Sequence, residues 1–163
     1  MKLRILLLIL LSLGWCPVTL AGRAQDDNPN GGQPQSLPTV TLHIGKVALT
    51  TEVAVTPEQQ ETGLMYRTHL GDNNGMIFLL PTITHATFWM KNTLIPLSVA
   101  YIDKDGVILE IHDMKALDTS IIRSDSDQVA YALEANLHWF ALNGIKPGDR
   151  IEPPPATLAK PGN

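Results

Sequence analysis

The chain has 163 residues, 44% of them hydrophobic, and 16 Asp and Glu against 12 Lys and Arg give a formal net charge of −4 at pH 7. An acidic balance speaks against nucleic acid and anionic lipid as partners, since both are held through clustered basic side chains. A single cysteine, Cys16, excludes an internal disulfide, so a domain of this size must stand on its apolar core.

Lys2 and Arg4 precede an almost unbroken apolar run over residues 5–13, followed by the small residues Ala21, Gly22 and Ala24. That order is the order of a secretory signal, and the run is too short to span a bilayer as a helix. Cleavage after Ala21 or Ala24 is expected, which removes Cys16 and with it any thiolate chemistry or zinc–thiolate site. An uncleaved N-terminal anchor is the competing reading, weakened by Gly14 and Pro17, which interrupt any longer helix. Removing Lys2, Arg4 and Arg23 leaves nine basic against 16 acidic residues, about −7. The predicted protein is exported, periplasmic or secreted, with no stable membrane insertion after cleavage. Its organisation is a signal peptide (1–21), a flexible tether (22–38), one β-rich domain (39–152) and a disordered tail (153–163). The tether and tail are polar and rich in Pro and Gly, with too little apolar surface to offset the entropy of ordering.

Val40, Leu42 and Ile44 alternate with polar residues, and after Gly45-Lys46 the alternation resumes with Val47, Leu49, Val53 and Val55, which predicts two strands joined by a tight turn. Thr56, Pro57 and Gln59 form a helix start, with a capping hydroxyl, a first-turn proline and the reciprocal amide of a capping box. This short helix should end between Gly63 and Arg67. Residues 69–74 read as a polar loop, and Gly75 opens a buried strand over 76–80 closed by Pro81. Strands are predicted over 87–91 and 97–102 on either side of a corner at 92–96. Asp103-Lys104-Asp105-Gly106 makes a hairpin turn into a strand over 107–111. A further strand covers 128–135, Asn136 caps a helix of one to two turns that stops at Asn143-Gly144, and Pro147-Gly148-Asp149 turns into a last strand. Seven or eight short strands and two short helices make the fold mostly β, a compact β-barrel or a two-sheet β-sandwich.

The blocks GLMYR (63–67), GMIFLLP (75–81), FWMKNTLIPL (88–97), YALEAN (131–136) and NGIKPGD (143–149), in that order and spacing, resemble the family known as domain of unknown function 192. The resemblance spans residues 42–151. It implies a compact β-rich fold, often preceded by an export signal, with no assigned reaction, cofactor or partner. Two departures stand out: Ser98 follows Ile95-Pro96-Leu97 where the family usually carries an aspartate, and Met114-Lys115-Ala116 replaces a usual Met-x-Pro. A mechanism that leaned on that aspartate would find a serine in its place here.

Lys91 and Asn92 lie where a strand breaks into a corner, and Glu134 sits on an apolar strand beside Asn136. A carboxylate in a β-rich core is costly unless paired, so Glu134 is predicted to contact Lys91, either as an acid/base site or as a structural network around the corner. In a strand Phe88 and Trp89 point to opposite sides, so if one fills the core the other faces a second layer or a groove. An exposed Trp89 beside Lys91 and Asn92 would line a binding cleft with Glu134 and Asn136. His43, His69, His85, His112 and His138 show no zinc-ligand spacing. Met65, Met76, Met90 and Met114 with His85 or His112 could form a soft copper site, although methionine in apolar runs is more often core filling. Asp103-x-Asp105-Gly106 lacks the later ligands of an EF-hand loop, and the Ser124-Asp125-Ser126-Asp127 cluster reads as a solvated loop with weak calcium affinity as its alternative. No nucleophile elbow, P-loop or dinucleotide fingerprint occurs, and no cofactor is expected. The favoured function is a non-catalytic periplasmic binding or accessory domain, its partner a small molecule or another envelope protein. The alternatives are a small acid/base enzyme using Glu134 with Lys91, and copper handling through Met and His.

Overall fold

The computed structural model describes residues 31–158. The predicted signal peptide, the start of the tether and the end of the tail lie outside the described residues. The two alternating segments form the hairpin β1 (Thr39–Ile44) and β2 (Val47–Ala54), turned at Gly45 with φ +59. Thr56 caps α1 (Pro57–Thr62): its hydroxyl accepts from the Gln59 amide while the Gln59 side chain accepts from the Thr56 amide. α1 crosses over to β3 (Asn74–Thr84), which pairs parallel to β2. Then follow β4 (Thr87–Phe88), β5 (Leu97–Ile102), β6 (Ile108–Met114), β7 (Ile122–Arg123), β8 (Val129–Asn136), α2 (Trp139–Leu142) and β9 (Ile151–Glu152).

Seven strands make one curled sheet in the order β6-β5-β8-β3-β2-β1-β9, a half-barrel, while β4 and β7 form a separate two-stranded ribbon. The two edges of the curl approach each other: Ile151 donates its amide to the Gly106 carbonyl, Gly148 to Ile108, and Ile108 to Asp149. The curl encloses one core, built from Leu42, Leu49, Ile77, Ala100, Ile102, Leu133, Trp139, Phe140 and Ile151. Side chains from the opposite face of β3, β5 and β8, among them Met76, Phe78, Val99, Tyr101 and Ala132, build a second core under Leu64, Leu70, Ala86 and Met90. Burial on both faces explains why every residue of β5 is buried and why its sequence does not alternate.

Several elements depart from the sequence reading, each for a tertiary reason. β3 continues past Pro81 to Thr84, with its register to β8 broken between Leu79 and Thr84, where a missing proline donor costs no ladder bond. β4 stops at Phe88 because the Met90 amide turns away to the Asp118 carbonyl, 2.8 Å. β7 was not expected at all. α2 starts at Trp139 behind a left-handed His138 with φ +63, not behind Asn136, which completes β8 opposite Leu97. At the margins, Gln35 donates to the carbonyls of Gln59 and Gly63, and the Leu37 amide donates to Glu52, so this part of the predicted tether is bonded to the domain. Likewise Pro155 of the predicted tail is buried in a short 3-10 turn, Pro155–Thr157. Among the described residues no helix is long and apolar enough to cross a membrane.

Candidate functional site

β8 alternates between the two cores, so Leu133 and Ala135 enter the curl while Ala132 and Glu134 enter the second layer. Glu134 stands directly opposite Met76 of β3 and Val99 of β5, in the middle of the sheet, and is 4% exposed. Among the described residues its carboxyl has no hydrogen bond and no ion pair. It lines a cavity of about 370 Å³ with Glu61, Thr62 and Met65 from the α1 region, Phe78 and Leu80 from β3, His85, and Phe88, Trp89 and Thr93. Burial, with no compensating donor, pushes the Glu134 carboxyl from its ordinary 4.5 up to about 8. At neutral pH it is therefore mostly protonated, able to donate one hydrogen bond or to ionise when a cation arrives.

Two other carboxylates in partly buried positions show what pairing looks like in this fold. Glu52 accepts both terminal nitrogens of Arg67, at 2.7 and 2.9 Å, and the Leu37 amide. Glu110 accepts the amides of Asp125 and Ser126 and meets His112 Nε2 at 2.6 Å; burial opposes its ionisation, but these partners hold its carboxyl below the usual range. Ser124-Asp125-Ser126-Asp127 is thus a loop folded onto Glu110, with the Ser124 hydroxyl accepting from the Ala86 amide.

Phe88 turns inward, edge-on to Phe78 at 5.0 Å and 5.9 Å from Tyr101, while Trp89 is 42% exposed. Opposite-facing neighbours are what an extended segment imposes. The Lys91 ammonium lies 5.3 Å from the Trp89 ring centroid and forms no ion pair with Glu134, so the contact predicted between Lys91 and Glu134 is not made. Asn92 adopts φ +57 and pins the GLMYR segment: its carbonyl accepts the Tyr66 amide at 2.8 Å and its side-chain amide donates to the Tyr66 hydroxyl at 2.7 Å. Asn136 donates to the carbonyls of Leu70 and Gly71 and borders a different depression beside Trp139. Of the five candidate residues, then, Trp89 and Glu134 share one cavity, and Lys91, Asn92 and Asn136 do not line it.

His85, Glu61 and Thr93 were missed as cavity residues. His85 Nδ1 lies 3.1 Å from the Ser124 carbonyl, which can only accept, so Nδ1 carries the hydrogen and Nε2 is left for other partners. No spacing rule joins these positions, because four separate segments meet only in the second layer. Met76, Met90 and Met114 are buried within the second core, and among the described residues no three His, Cys, Asp or Glu side chains gather where a metal ion could bind. Ser98, Asp113 and His138 do come together, yet in the wrong order for nucleophilic catalysis. The fully buried Ser98 hydroxyl donates to Asp113 at 2.5 Å and accepts the His138 amide at 2.8 Å, and the His138 ring reaches Asp113 at 2.9 Å. The hydroxyl hydrogen is thus held by the carboxylate, and the His138 imidazole meets Asp113 instead of the hydroxyl.

Three comparisons place this geometry. A protein of unknown function from Novosphingobium aromaticivorans DSM 12444 superposes with a TM-score of 0.68 at 36% identity, covering 71% of this chain and 86% of that one. A protein from Sinorhizobium meliloti 1021 named as a candidate transcription regulator superposes with a TM-score of 0.66 at 37% identity, covering 75% and 97%. No curated protein matches the sequence. The family described as DUF192, Uncharacterized ACR, matches residues 40–153, and the chain belongs to that family.

Proposed function

We propose that this chain is an exported, non-catalytic binding domain that receives a small molecule in the cavity between Glu134 and Trp89. The observation that carries the reading is the unpartnered carboxyl of Glu134 at the wall of that cavity. A fold that supplies donors to Glu52 and Glu110 leaves this more deeply buried group without any among the described residues. Such a group weakens the folded state, and a ligand that supplies the missing partner recovers the lost free energy as affinity. The volume falls within the range of small-molecule sites, and the lining joins apolar and aromatic side chains such as Met65, Phe78, Phe88 and Trp89 to polar ones such as Gln60, Thr62, Thr93 and Glu134. Export rests on the signal-like start of the sequence. The regulatory name of the Sinorhizobium protein does not carry over to DNA contact here, given the acidic charge of the chain.

A thermal-shift screen of metabolites against the purified protein tests the reading. A binder should raise the melting temperature of the wild type and lose that effect in Trp89→Ala and Glu134→Gln. A hit that shifts all three equally would place the site elsewhere. One observation favours acid/base catalysis as the second reading: a carboxyl pushed up to about 8 is poised for proton transfer near neutrality. Turnover of a screened hit, abolished by Glu134→Gln, would establish that reading, with Lys91 having no part in it.

A further inference from the structure

We infer that the cavity takes a compact organic amine, whose ammonium is held by Glu134 while its apolar body packs against Met65, Phe88 and Trp89. The inference rests on the binding reading above and names the ligand class for the same site.

Charge carries it first. Two carboxyl side chains, Glu61 and Glu134, line the cavity, and among the described lining residues there is no Lys or Arg. His85 is the one other ionisable lining group among the described residues. An anion entering this space would meet no Lys or Arg among the described lining residues, would hold Glu134 in its protonated form, and would gain from it one neutral O–H donor alone. A cation supplies what Glu134 lacks, a charge-assisted donor at short range in a place where water competes weakly. The aromatic side chains agree, because ring faces attract cations. Trp89 already demonstrates that attraction by holding the Lys91 ammonium 5.3 Å from its centroid. Met65, Phe88 and Trp89 offer the hydrocarbon body of an amine an apolar patch, while the threonines of the remaining wall carry no charge that would repel its ammonium.

The proton balance follows from the same contact. Below pH 8 the carboxyl of Glu134 carries its proton, and binding an ammonium group requires it to ionise: the carboxylic acid and the ammonium give an ammonium–carboxylate pair and one proton released to solvent. The titratable groups around Glu134 are Glu61 of α1, His85 of the β3–β4 connection and Tyr101 of β5, while β3 presents Met76 and Phe78. Burial first, then the fields of Glu110 and Glu134, pushes Tyr101 up, so it stays neutral throughout the range of interest.

The experiment is calorimetric titration of the purified protein with benzylamine, putrescine and choline, with benzyl alcohol and benzoate as the neutral and anionic counterparts of the first. At least one amine should bind, at least about tenfold more tightly than benzyl alcohol or benzoate. Titrations in buffers of different ionisation enthalpy should show about one proton released between pH 6 and 7, with affinity rising toward about tenfold per pH unit. Glu134→Gln, which substitutes a carboxyl that has no partner among the described residues, should stay folded by circular dichroism and lose amine binding. Glu58→Gln, at an exposed carboxylate that does not line the cavity, should retain it. Failure of all three amines, equal affinity for benzyl alcohol or benzoate, absence of proton release, or survival of binding in Glu134→Gln overturns the inference. A neutral or acidic hit from the metabolite screen that still depends on Glu134 would leave the binding reading standing without it, whereas no hit of any class would remove both.

Discussion

Replacing Glu134 with Gln keeps the shape of the side chain and removes its ability to ionise, so its effect on stability must change with pH. In the folded protein the carboxyl holds its proton up to about pH 8, while in the unfolded chain it releases it near 4.5. Between those values the folded state binds one more proton than the unfolded state, and stability therefore falls as pH rises. The slope is about 1.4 kcal/mol per pH unit, which accumulates to a loss on the order of 5 kcal/mol at pH 8 and none below pH 4.5. Gln has no such slope. Urea denaturation of the wild type and Glu134→Gln should give free energies within about 1 kcal/mol of each other at pH 5 and a growing advantage for the variant up to pH 8. The reasoning is refuted if the two profiles run parallel, or if the variant is the less stable protein at pH 8. Either result would mean that the carboxylate has a partner in the folded state.

The Glu52–Arg67 pair is bidentate and largely shielded from solvent, so Arg67→Ala should strand Glu52 and cost about 3 kcal/mol or more by chemical denaturation, with Arg67→Lys recovering only part of it. At Gly75 an added Cβ would meet the Glu134 carbonyl oxygen at 2.5 Å and Leu49 Cδ2 at 3.1 Å, so Gly75→Ala must move backbone and should lower stability by at least about 2 kcal/mol. If the N-terminal signal is cleaved, intact-mass analysis of protein exported from a bacterial host should find a chain beginning at Gly22 or Gln25; full-length chain recovered with the membrane would overturn the export reading.

What could be read from the sequence was what is decided within a few residues. The hairpin at Gly45-Lys46, the capping box at Thr56 and the turn at Asp103-Lys104-Asp105-Gly106 are local bargains between backbone and side chain, and each forms where its residues predict. Asn136 shows how such signals fail. A good capping residue ahead of an apolar run predicts a helix start, but in the folded chain its amide donates instead to the carbonyls of Leu70 and Gly71, more than 60 positions away. The β4–β7 ribbon was invisible for a related reason, since two residues of pairing, Thr87 to Arg123 and Phe88 to Ile122, leave no periodicity to detect.

The candidate site divides along the same line. Glu134 stood out because a carboxyl in an apolar strand is expensive anywhere, and Trp89 because a strand cannot bury both of two adjacent aromatics. Both inferences use the pleat alone, and both residues line the cavity. Lys91 rests on a different ground, that a buried carboxylate should find a cation, and the structure does not make that contact. An ammonium on a flexible stem can remain near water by resting on the exposed Trp89, whereas reaching the buried Glu134 would require it to lose that hydration. Leaving Glu134 unpaired costs the folded protein stability, and that cost is what makes the position informative. Glu52 and Glu110 draw their donors from the chain, whereas under the proposed binding reading the ligand supplies the partner that Glu134 lacks among the described residues.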